Sequence, residues 1–162
     1  MDLSIAVKLD ALIDVERLSD PPVVPFLLDV LTETREPAEV RLHALKRVRD
    51  GRLINLNGFR ESVARAMLRV LQDQRHAQLR LHAALALAEF TEVDGVPTAL
   101  GATALDHDVP LDLRYSAFAS LERASPVPEC VALVRELLSD DALGVSASSL
   151  LSLWRLGNSD DA

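Results

Sequence analysis

The side chains with most chemical capacity in this sequence are four histidines, one cysteine and a set of regularly spaced arginines. His43 and His82 stand in the same phrase, Val40-Arg-Leu-His-Ala-Leu45 and Leu79-Arg-Leu-His-Ala-Ala84. On neighbouring repeats two such rings lie roughly 8–10 Å apart, whereas zinc–nitrogen bonds are about 2.0–2.1 Å, so no shared metal is expected. His107, between Asp106 and Asp108, reads as a surface turn. The single cysteine, Cys130, excludes an internal disulfide and a multi-cysteine zinc site. Its setting, Pro128-Glu-Cys-Val-Ala-Leu133, is that of a small buried hydrophobe. A P-loop, a dinucleotide glycine pattern, His-Glu-x-x-His and Gly-x-Ser-x-Gly are all absent from the sequence. The expectation is a chain with no catalytic residues, no metal and no cofactor.

The arginines carry the stronger signal. Arg41, Arg80 and Arg114 follow one another at steps of 39 and 34 residues, and a degenerate copy, Val145-Ser-Ala-Ser-Ser-Leu150, puts Ser146 a further 32 residues on. An acid precedes each arginine: Glu36 before Arg41, Asp73 before Arg80, Asp108 before Arg114, with Asp141 before Ser146. Arginine and carboxylate at that spacing predict a ladder of ion pairs between neighbouring turns, holding repeats in register. Three residues after each arginine stands a small side chain, Ala44, Ala83 and Ala117, with Ser149 in the last copy. Small residues there let two helices approach closely.

These residues need helices to position them. A self-similar unit of 30–40 residues is the mark of a helical-repeat solenoid, and the apolar spacing agrees. An opening helix over 3–18 places Ile5, Leu9, Leu12 and Ile13 on one face and Leu3, Val7, Ala11 and Val15 on a second. It reads as a terminal cap, its second stripe free for another protein or a second copy. Asp20 is a candidate cap for the next helix, about 22–34, and Pro37 ends it ahead of the arginine helix at 38–50. Repeats follow at about 21–50, 59–90, 95–124 and 127–157. Leu53, Ile54 and Leu56 within the Gly- and Asn-bearing stretch 51–58 are expected to fold back as a plug, with a functional loop as the alternative. The expected fold is all-α, a single solenoid domain of four helical hairpins behind a capping helix.

Composition fits this and narrows the partners. Hydrophobic residues make up 49% and aromatics only 4%, a core of Leu, Ala and Val suited to close-packed helices. The formal charge of −8 is uneven: residues 35–80 hold 11 of the 17 basic residues and 5 of the 25 acidic ones. Overall acidity argues against nucleic acid as a general partner, since such binding draws on many phosphate contacts. The alternative is binding of nucleic acid or a phosphate-bearing ligand by the basic stretch alone, through Arg41, Lys46, Arg47, Arg49, Arg52, Arg60, Arg65 and Arg69. No apolar run reaches the ~18 residues of a membrane span, and Met1-Asp-Leu-Ser-Ile5 has an acid where a signal peptide needs a base. A cytoplasmic protein is expected. Oligomeric state is left open.

An acid in the turn followed by Val/Leu-Arg-x-x-Ala-x-x-x-Leu resembles HEAT repeats, especially the bacterial HEAT-like or phycobilisome-lyase-type group, over residues 21–157. The resemblance implies a non-catalytic scaffold that binds a protein or peptide on the concave face formed by the second helix of each hairpin. Some related proteins handle bilin attachment, a weaker analogy. HEAT-like DNA glycosylases line a basic groove with aromatics, unlike this acidic chain, whose only tryptophan, Trp154, is expected in the core of the last helix. The resemblance implies three rows of binding residues: His43, His82, Ser116 and Ser148; Arg47, Ala86, Ser120 and Ser152; and Asp50, Glu89, Arg123 and Arg155.

Overall fold

A computed structural model describes residues 5–16, 23–49 and 58–158, without the side chains at 12–16, 23 and 156–158. The stretch 51–57, with Arg52, Leu53, Ile54 and Leu56, lies outside the described residues, as do Leu3, Asp20 and Asp50. The described residues form nine α-helices and no strand. In order they are α1 (Ile5–Glu16), α2 (Val23–Thr32), α3 (Ala38–Arg49), α4 (Arg60–Gln72), α5 (Ala77–Ala86), α6 (Val96–Leu105), α7 (Leu111–Leu121), α8 (Pro128–Glu136) and α9 (Gly144–Asn158). Short 3-10 turns cover Leu87–Phe90 and Leu137–Ser139. The chain divides into two compact units, Met1–Ala86 and Leu87–Ala162.

In the first unit α2 packs on α3 and α4 on α5; the first helices α2 and α4 are neighbours, and so are the second helices α3 and α5. Each helix exists because its apolar residues recur at three and four positions. Val24, Leu27 and Leu31 of α2 meet Val40, Ala44, Leu45 and Val48 of α3, all fully or nearly fully buried. Val63, Met67, Val70 and Leu71 of α4 meet Leu79, Ala83 and Ala84 of α5 in the same way. Ala44 and Ala83 are wholly buried, as small residues at a close helix approach should be. The opening helix α1 packs on α3, and Lys8 donates to Glu36 at 2.8 Å. Its Ile5 and Val7 remain exposed.

The second unit pairs α6 with α7 and α8 with α9, and α6 also packs on α8. Val96, Leu100 and Ala104 of α6 line its core with Leu113, Ala117, Phe118 and Leu121 of α7. Gly95 starts α6 at φ 89°, a backbone conformation that costs a residue with a Cβ. Gly101 lets α6 approach α8, since a Cβ there would stand 2.7 Å from Cδ1 of Leu133. Cys130 is buried, as expected, and burial together with the charge of Glu129 pushes its thiol pKa up. Trp154 is only half-buried. It lines a cavity of about 250 Å³ with Val131, Arg135 and Leu151 instead of filling the core.

Candidate functional site

The repeated arginines are structural, and they are built the same way three times. Nε of Arg41 donates to the Leu31 carbonyl at 2.8 Å, Nε of Arg80 to the Leu71 carbonyl at 2.7 Å, and Nε of Arg114 to the Ala104 carbonyl at 2.8 Å. Each accepting carbonyl is among the last of the preceding helix, where no backbone donor remains inside the helix. The arginine thus sews the two helices of its own hairpin together.

In Arg41 and Arg114 a further nitrogen reaches an acid of the following hairpin. Nη1 of Arg41 lies 3.4 Å from Oδ2 of Asp73, and Nη2 of Arg114 donates to Oδ2 of Asp140. An arginine–carboxylate contact of the expected kind is therefore present in each unit, with Asp73 one of the expected acids and Asp140 a new one. Glu36 pairs with Lys8 rather than Arg41, and Asp140, not Asp141, receives Arg114. The acid is chosen by the turn. Glu33, Asp73, Asp106 and Asp140 each accept from the backbone N–H two residues on, at 3.0, 3.2, 2.9 and 2.9 Å. For Glu33, Asp73 and Asp106 the carbonyl that the arginine engages stands two residues before that acid.

The rule corrects the alignment of the last repeat. Two residues before Asp140 is Leu138, and its carbonyl faces Gly144: a Cβ on Gly144 would come within 2.7 Å of that oxygen. Leu143 and Ala147 are buried while Ser146 and Ser149 are exposed. Gly144 therefore occupies the arginine position and Ala147 the small one. The equivalents of the binding rows on α9 become Ser146, Leu150 and Leu153, displacing Ser148, Ser152 and Arg155. Those three side chains are exposed on α9 but out of register with the other hairpins.

The remaining expected positions fare unequally. Arg41 is 1% exposed and occupied by Leu31 and Asp73, so it does not offer itself to an anion. Ser120 is 2% exposed and Ala86 is buried, so of the second row Arg47, half-buried, and the out-of-register Ser152 reach the surface. Glu89 and Arg123 of the third row pair with each other at 2.9 Å. Ser116 is half-buried. Among the alternative anion-binding residues, Arg60, Arg65 and Arg69 belong to α4, a first helix, whereas Lys46 and Arg49 belong to α3, a second helix. Arg65 lies 3.5 Å from Glu61, and with Arg69 it lines a groove of about 450 Å³ against Asp29 and Thr32 of α2. The basic stretch is thus split between two helix layers.

One cluster does form. His82 of α5 sits between burial and the charges of Lys46 and Arg49 on α3, and all three causes hold its pKa below the usual histidine value, burial most of all. Its Nδ1 is buried and has no hydrogen-bond partner, an unusual state for a polar atom. Lys46 and Arg49 are exposed, and no carboxylate among the described residues pairs with either. His43 and Arg47 are half-buried on the same helix. The composition alone showed the basic stretch; pairing His82 with Lys46 and Arg49 needed the α3–α5 packing.

Among the described residues no three His, Cys, Asp or Glu side chains gather as a metal site would require, and no helix is long and apolar enough to cross a membrane. No family model, curated protein or solved structure matches the chain.

Proposed function

We propose that the four hairpins are HEAT-like repeats of an α-solenoid and that the chain is a non-catalytic module binding a protein or peptide through its second-helix face. The observation that carries this reading is the α3–α5 surface. There, two exposed cations press on a half-buried histidine whose Nδ1 lacks a partner. Among the described residues no carboxylate neutralises them; cations held together cost stability through repulsion, and an outside group that supplies the opposite charge relieves it. The arginine staples support the repeat reading, because three hairpins spend an arginine on their own backbone, and Arg41 and Arg114 also reach the next hairpin. That leaves the second-helix surface to other side chains.

The test uses the intact chain as bait against a displayed library of protein fragments, followed by hydrogen-exchange mapping of any binder. Protection of α3 and α5 is the expected result. Protection confined to α4, or the absence of any binder, would overturn the proposal.

A further inference from the structure

The α3–α5 surface has a second feature besides its charge. At the amino-terminal ends of the two helices a cavity of about 410 Å³ is lined by Ala38, Leu42, Ala77 and Leu79, with Glu39 and Arg75 among its rim. Its lining is mostly apolar, and its volume falls in the roughly 300–1,000 Å³ range of ligand pockets. Leu42, Lys46 and Arg49 are four and then three residues apart, so they lie along one face of α3. Gln78, which also lines the cavity, precedes His82 by four residues on α5. The apolar cavity and the basic cluster therefore lie towards opposite ends of the same two neighbouring helices, along the groove between α3 and α5.

Resting on the reading of this face as a peptide-binding surface, we infer that the groove takes an extended peptide segment bearing an apolar side chain and, two or three residues away, an acidic one. The spacing follows from geometry. From Leu42 to Lys46 and Arg49 the helix rises about 6–10 Å at 1.5 Å per residue, and an extended chain covers that in roughly two to three residues. The apolar side chain enters the cavity beside Leu42. The carboxylate lies between Lys46 and Arg49, and it relieves the repulsion they exert on His82. Lys46 and Arg49 also face the negative end of the α3 dipole. That interaction accounts for basic residues in the last turn, but among the described residues it leaves no carboxylate to offset the charge of Lys46 and Arg49 near His82.

The experiment pans a phage-displayed library of random 12-residue peptides on the intact chain and measures enriched peptides by fluorescence anisotropy. Wild type is compared with Lys46→Glu/Arg49→Glu and with Leu42→Gln, each checked for an unchanged melting temperature. The double variant alters only exposed side chains, so it reads binding even where Leu42→Gln weakens the fold. The expected result is an acid two or three positions from an aliphatic or aromatic residue. Affinity should fall at least tenfold in the double variant, and replacing the peptide's acid by lysine should restore it there. Enriched peptides without an acid, or peptides whose binding survives the double variant, overturn this inference. So does single-stranded DNA that binds the groove at low salt as well with Leu42→Gln as with wild type. Fragments protecting α3 and α5 while no such 12-mer enriches would sink the motif and leave the binding face standing. Failure of both libraries would remove both.

Discussion

Nη1 of Arg41 meets Oδ2 of Asp73 at 3.4 Å across 32 positions of sequence, while Nε of the same guanidinium donates to the Leu31 carbonyl at 2.8 Å. One planar fork therefore joins the end of α2, the start of α3 and the turn after α4. Only arginine can do this, because its donors are fixed in one plane and diverge.

Replacing Arg41 by alanine is expected to lower unfolding stability by about 3–5 kcal/mol, the cost of breaking a buried charged pair and leaving its partners unmatched. Arg41→Lys should recover little, since a single ammonium does not span the carbonyl and the carboxylate together. Urea denaturation followed by circular dichroism measures both. A loss below about 1 kcal/mol in Arg41→Ala would contradict the structural role.

Acid should unlock the same junction. Asp73 is held at about 2, first by its side-chain hydrogen bond with Arg75 and with Arg41 among the contributors. Its folded value lies below the ordinary aspartate value of about 3.9, so its contribution is present above that value and fades as pH falls toward 2. The Asp140 carboxylate is also held below its usual range: backbone N–H groups of Leu143 and Ala142 and the Arg114 side chain together outweigh its burial. Asp73→Asn should flatten the decline of the urea midpoint between about pH 4 and 2, since one titrating group is gone.

Gly144 and Ser146 give opposite answers to one substitution. Gly144→Ala drives a Cβ to 2.7 Å from the Leu138 carbonyl, a backbone atom that cannot swing aside. It should destabilise by about 1–3 kcal/mol, as overpacking does. Ser146→Ala, at an exposed position, should stay within about 0.5 kcal/mol. Thermal melts of the two variants decide which residue occupies the arginine position of the last repeat.

His82 reports the charge on the α3–α5 surface. Lys46→Ala and Arg49→Ala should each raise its midpoint in an NMR titration of the ring protons, because each removes a repulsive charge. The folded ring resists protonation that the unfolded chain accepts near 6.5. Stability from this group is accordingly present above that pH and lost as pH falls below it. A midpoint unmoved in both variants would mean that burial alone sets it.

The helices, their hairpin pairing and the small residues between them were legible in the sequence, because apolar spacing and turn residues are local properties. Val40, Ala44 and Leu45 announce the buried face of α3 without any knowledge of what covers it. Arg41, Arg80 and Arg114 likewise announced a ladder. Which carboxylate completes it was legible only in part: Asp73 was among the acids the sequence offered, whereas Asp141 stands as near in sequence as Asp140, which Arg114 reaches. The choice falls to the acid that caps the turn, since only its side chain is held at the end of the preceding helix.

The last repeat was misaligned for a related reason. A missing arginine removes the mark that sets the register, and a glycine in its place has no side chain to betray it. Sequence by itself determined the all-helical elements and the recurrence of arginine and alanine, through short-range periodicity. Tertiary structure alone decided the partners across 26 and 32 positions and the dispersal of the basic stretch over two layers. It also joined His82 to Lys46 and Arg49. These depend on how helices far apart in the chain turn toward one another, which no local spacing records.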